Sequence, residues 1–207
     1  MRFLNVPLFF VDADCDHVLG SSAPRNVVIT DGRDLDSYGV SRPCIGKIVT
    51  AGLGIEESEA NLYHDCLIKV TRPIGILRIL SARRELNLPF TATLDDRFAR
   101  YILGSSTGAS LDRLKLLRAL LQNRGISLTN LGDYTALWDS EYSDLGGLAD
   151  FLVVHGKDFC RAIAWLLEIP ERAAEAMLFL SMDLNEIRSL PNIRMTERWV
   201  RQLESGC

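Results

Sequence analysis

The chain opens with short apolar runs that close on acids and then changes to long stretches of helical period. Val6 to Val11 is an uninterrupted apolar run, followed by Asp12, Asp14 and Asp16 on alternate residues. Such a run predicts a buried strand, and alternation along an extended chain sends all three carboxylates to one side. After the turn-like segment from Gly20 to Arg25, a second short run, Val27 to Ile29, again ends in acids, Asp31, Asp34 and Asp36. Two adjacent parallel strands of this kind place both acidic groups at one carboxyl edge of a sheet, where open α/β folds bind ligands.

Beyond Gly54 the period is helical. Residues 56–70 read as one helix, and Thr71-Arg72-Pro73 as a break with Pro73 opening a second helix to about Glu85. Leu94 to Leu103 predicts a short helix. Gly104 to Ser110 predicts a flexible loop in which Ser110 caps a helix over 111–123, apolar at Leu114, Leu117 and Leu121, with Gly125 past its end. A third strand is expected over Phe151 to His155, followed by Gly156-Lys157-Asp158 and a helix over 159–167. Helices are expected again over 171–180 and 196–204. The expected class is α/β, a largely parallel sheet with a long helical insertion and a helical carboxyl end. Its segments are 1–54 (strands with acidic motifs), 55–147 (helical insertion) and 148–207 (returning strand and terminal helices).

The 207 residues are 47% hydrophobic, enough for a sizeable core. No apolar run approaches the roughly 20 residues of a membrane span, and the start is too soon interrupted by aspartates for a signal peptide. A cytoplasmic protein without membrane contact is expected. Five widely spread cysteines without a Cys-x-x-Cys pair predict reduced, unpaired thiols.

Net charge is -4 but unevenly spread, at -4 over 1–70, +6 over 71–124 and -6 over 125–207. The basic middle is mostly arginine, suited to bidentate phosphate contacts, and Arg72, Arg78, Arg83 and Arg84 are its candidate nucleic-acid contacts. The alternative for each is the solvated face of an amphipathic helix. Residues 116–138 have the cadence of a winged helix-turn-helix. No lysine or arginine lies between Arg124 and Lys157, however, while five acids do fall between 133 and 150, a charge that phosphates repel.

The aspartate clusters are candidate ligands for a hard cation, because carboxylates this close repel unless a magnesium-type ion neutralises them. The alternative is a solvated acidic turn. The stretches FFVDADCDHVLGSSAPRNVVITDGRDLDSY, RPIGILRILSARRELNLPF, FLVVHGKDF and ERWVRQLE resemble a TOPRIM-like family that includes the nuclease subunit of PARIS anti-phage systems. That family is related to the nuclease half of overcoming-lysogenization-defect proteins. The resemblance implies a TOPRIM-like fold, magnesium- or manganese-dependent cleavage of DNA or RNA, and an ABC-type ATPase partner; self-association is left open. Asp12 and Asp14 correspond to the family's aspartate pair, and Asp34 and Asp36 to its acidic step after the next strand. Gly156-Lys157-Asp158 stands where the family has glycine, histidine and aspartate, so Lys157 takes a catalytic role in balancing charge on the phosphate. The family's first strand and its glutamate have no counterpart in the eleven residues before Asp12.

Three functions follow. The first is a metal-dependent nuclease using Asp12, Asp14, Asp34, Asp36 and Lys157. The second is an adaptor or inhibitor on a degenerate TOPRIM scaffold, which the missing glutamate favours. The third is a phosphatase or phosphotransferase with Asp12 as nucleophile, since an apolar strand followed by Asp-x-Asp also heads such sites.

Overall fold

A computed structural model of the chain describes residues 9–24 and 26–205. Strand β1 (Phe9–Val11) and strand β2 (Val27–Ile29) flank the one-turn helix α1 (Asp16–Leu19). The strands pair in parallel, with Phe9 opposite Val27 and Val11 opposite Ile29. The sheet thus has the expected direction, although Val6 to Leu8 lie outside the described residues. Among the described residues β1 has one partner strand, so it is not buried as its apolar run predicts, and Phe9 and Val11 are exposed.

The rest is mainly helical. A 3-10 turn (Asp36–Gly39) leads into α2 (Arg42–Leu53), which Ser41 caps by accepting the Cys44 N–H and which Gly54 ends in the left-handed region at φ 66°. Next comes α3 (Glu57–Arg83), a single helix of 27 residues with Pro73 inside it, where the sequence predicts a break. An interior proline costs about 3 kcal/mol. The burial of Val70, Ile74, Ile76, Leu77, Ile79 and Leu80 outweighs it, since each such side chain contributes about 1.5–3 kcal/mol. α3 is the central helix, buried on every side from Val70 to Leu77. Gly75 meets the main chain at Val153 and Val154 so closely that a Cβ there would lie 2.1 Å from the Val153 carbonyl oxygen.

The segment expected to be a helix over 94–103 is instead α4 (Phe90–Leu94), a 3-10 turn (Phe98–Tyr101) and strand β3 (Ile102–Leu103). β3 pairs antiparallel with β4 (Ser110–Leu111), so the expected loop is a short ribbon and Ser110 is not a cap. Asp112 caps α5 (Arg113–Arg124) by accepting the Lys115 N–H at 3.0 Å, and Gly125 closes it as expected. Its buried stripe is Leu116, Leu117, Leu120 and Leu121, with Leu114 outside. In α6 (Leu131–Asp144), Trp138 is buried and donates to the Pro73 carbonyl at 3.2 Å.

No third strand forms over Phe151 to His155. Asp150–Val153 is the short helix α7, and the carbonyls of Phe151 and Val153 accept from Arg33 rather than from a strand. Helices α8 (Gly156–Leu167), α9 (Glu171–Ser181), α10 (Leu184–Ser189) and α11 (Pro191–Ser205) complete the chain. One apolar core runs from Val40 to Leu178, drawing on α2, α3, α5, α6, α8 and α9. Among the described residues no helix is long and apolar enough to cross a membrane, and Cys15, Cys44, Cys66 and Cys160 are free thiols.

Candidate functional site

The extended backbone of β1 stops at Val11, and this undoes the expectation that three aspartates share a side. Ala13 donates its N–H to the Thr30 hydroxyl at 2.9 Å. Asp14 turns into the left-handed region at φ 51° and donates its N–H to the Arg33 carbonyl at 2.6 Å, while Asp16 already opens α1. Asp12 stays at the strand end and is exposed.

The acids after β2 divide by role. Asp31 accepts the N–H groups of Asn192 and Ile193, two otherwise unpaired donors in the first turn of α11. Asp34 spends one carboxylate oxygen on the Ser37 N–H at 2.8 Å and the other on the Gly156 N–H at 3.0 Å. Its burial outweighs both bonds and raises its pKa to about 6. Among the described residues Asp36 accepts no hydrogen bond. Burial first, and then the nearby charges of Glu175 and Asp12, push its carboxyl above the ordinary aspartate value, with Lys157 acting in the opposite direction. The charges of three other side chains from separate segments, Asp12, Lys157 and Glu175, are thus felt at Asp36.

Helix α8 brings Lys157 there by close contact. A Cβ on Gly156 would lie 2.1 Å from the Asp36 Cβ and 2.4 Å from Asp34 Oδ1, so glycine is needed at this position. Behind the contact lies a buried charge network. Asp158 is fully buried and receives Arg78 Nε at 2.7 Å, Arg78 Nη2 at 3.0 Å and Arg161 Nη1 at 2.9 Å. Burial raises its pKa, but the Arg78 charge and hydrogen bond, with His155 and Arg161, outweigh that and hold it below the ordinary value. Arg161 also pairs with Asp95 and Glu171. His155 stands between two carboxylates, 3.9 Å from Asp34 Oδ2 and 3.9 Å from Asp158 Oδ2. Desolvation lowers its pKa to about 3 against the pull of Asp158, so the ring is neutral.

Three of the four arginines expected to contact nucleic acid serve the fold. Arg72 ion-pairs with Asp150 and donates to the carbonyls of Leu145 and Leu148, each at 2.8 Å. Arg78 holds Asp158 and stacks 4.4 Å from the centre of the Phe90 ring. Arg83 pairs with Glu141 and donates to the Val18 carbonyl. Arg84, by contrast, is exposed and makes no ion pair with a described residue. Their charge in sequence carries no sign of this, because each partner lies on a distant segment. Glu175 and His155 also escaped the sequence reading. Glu175 resembles an ordinary helix-surface acid, while His155 adjoins the glycine step and could have been found there.

Among the described residues no group of three or more histidine, cysteine, aspartate or glutamate side chains is arranged to hold a metal ion. The donors do not form a dedicated cage. A magnesium-type ion needs only one or two carboxylates when a substrate phosphate and waters complete its shell. Asp12, exposed, and Asp36, without a hydrogen bond among the described residues, fit that lesser demand. Asp34 accepts one main-chain N–H on each oxygen, which ties it to the fold and leaves one lone pair on each. Compared with known proteins, the chain matches no family model, no curated protein and no solved structure.

Proposed function

We propose that the chain is a TOPRIM-like, cytoplasmic nuclease acting on a nucleic-acid phosphodiester, with Asp12 and Asp36 as the carboxylates for magnesium or manganese. The observation that carries this reading is the packing of Gly156 against Asp36, which brings the neighbouring Lys157 to an aspartate that also feels the charges of Asp12 and Glu175. Bound there with a substrate phosphate, the ion would supply Lewis-acid polarisation and a more acidic water. Lys157 offsets negative charge growing on the phosphate oxygens. Asp34 is a structural residue in this scheme, tying the first turn of α8, and so Lys157, to the loop after β2. The resemblance to PARIS-type nucleases adds an ABC-type ATPase as the partner and anti-phage defence as the setting.

A second reading, a TOPRIM-scaffold adaptor without catalysis, is favoured by the commitment of Asp34 and by the lack of a three-donor group among the described residues. Calorimetric titration with manganese, paired with cleavage of labelled RNA and DNA, separates the two. The nuclease reading expects binding that Asp12→Asn and Asp36→Asn each weaken at least tenfold and that Asp34→Asn largely retains. A wild-type chain that takes no manganese and cuts neither nucleic acid leaves the adaptor.

A further inference from the structure

Arg33 lies within ITDGRDLD, where a reader of sequence would take it for a solvated counter-charge to its flanking aspartates. It is instead 2% exposed and forms no ion pair with a described carboxylate. Its guanidinium donates to the Val153 carbonyl at 2.7 Å and the Gly75 carbonyl at 3.3 Å through Nη1, and to Cys15 Sγ at 3.4 Å through Nη2. Its main chain continues the pattern, the N–H donating to the Phe151 carbonyl at 3.0 Å and the carbonyl accepting the Asp14 N–H at 2.6 Å. Arg33 Nε has no partner among the described residues.

Burying a cation without an anion is costly, and an apolar side chain would fill the same space without that cost. What an apolar side chain cannot do is bridge. The planar fork reaches several acceptors at fixed angles, and here those acceptors belong to the turn after β1, to α3 and to α7. These are the segments that must be set against one another for Asp12, Asp36 and Lys157 to meet. We infer that Arg33 is the positioning residue of the acidic edge, clamping the Asp12–Asp16 turn to the segment 150–157 through the middle of α3. The clamp is a property of the fold; its service to metal-assisted hydrolysis rests on the proposed function.

Hydrogen exchange read by mass spectrometry tests the clamp without any need for activity. In Arg33→Met, exchange over 12–16 and 150–157 is expected to quicken at least tenfold, alkylation of Cys15 to quicken with it, and exchange over Leu116–Leu121 in α5 to stay at the wild-type rate. Wild-type exchange in the first two segments overturns the inference, and so does an equal rise in α5, which would mark Arg33 as a general core residue. Arg33→Lys keeps a buried cation and serves if the methionine variant does not fold. Lysine is expected to leave the two segments fast-exchanging, and full protection with lysine would show that charge alone suffices and overturn the bridging role. Manganese titration of the same proteins forms a separate arm. A wild type that takes no manganese removes the nuclease reading, while the exchange data still decide the clamp.

Discussion

Gly156 donates its main-chain N–H to Asp34 Oδ2 at 3.0 Å, across 122 residues of sequence. This bond joins the start of α8 to the loop after β2, next to Lys157.

A methyl group at residue 156 would have to displace Asp36, whose main-chain carbon would lie 2.9 Å from it and cannot turn aside as a side-chain tip can. Gly156→Ala is therefore expected to cost about 1–3 kcal/mol, the range of overpacked sites. Thermal denaturation should show a fall of several degrees. A melting temperature equal to the wild type's would mean that the two segments are not in contact.

Stability against pH carries two opposing signatures. His155, held near 3 in the fold against an ordinary 6.5, favours the folded state above pH 6.5, and that contribution is lost on acidification towards 3. Asp34, raised to about 6 from 3.8, contributes in the other sense, fully below pH 3.8 and not at all once pH has risen through 6. Between pH 6 and 4 the two offset one another. Urea denaturation of His155→Gln should therefore show stability rising over that window as pH falls, by up to about 3 kcal/mol, and Asp34→Asn should show it falling. Parallel curves for the two variants would contradict both shifts.

Arg78 grips Asp158 with two bonds, and Asp158 shares Arg161 with Asp95 and Glu171. Asp158→Asn leaves a buried cation uncompensated and should cost about 3–5 kcal/mol. Since the folded pKa of Asp158 is depressed, its stabilisation is present above the ordinary aspartate value and disappears on further acidification. Equilibrium unfolding at pH 7 measures the loss, and a change below 1 kcal/mol would show that the network is dispensable.

Asp31 tests the carboxyl end. Asp31→Ala removes the acceptor for two N–H groups at the start of α11 and should cost about 0.5–2 kcal/mol, as lost caps do. The half-buried Trp199 reports the change by fluorescence, because α11 meets β2 through this cap and the Asn192 side chain bonded to the Ile29 carbonyl. An unaltered emission spectrum with unaltered stability would show that α11 is held by other contacts.

Local chemistry was readable from the sequence wherever neighbours decide the outcome. Gly125 acts at a helix end as its type requires, and the parallel pair of short apolar strands stands where two runs closing on acids predict it, whereas α2, capped by Ser41 and Gly54, falls in a segment expected to hold strands. Helices over 159–167 and 171–180 follow from the same period of apolar positions. What the sequence could not determine is which of many like-charged residues meet. Pro73 stays inside a helix because burial along α3 outweighs a missing hydrogen bond, and Phe151 to Val153 coil rather than extend because Arg33 takes their carbonyls. Asp31, Asp34 and Asp36 are chemically equal in sequence, yet one holds α11, one holds α8, and Asp36 has no donor among the described residues. Burial and partners more than a hundred residues away made that distinction, since the protonation and bonding of a carboxylate depend on what surrounds it in space.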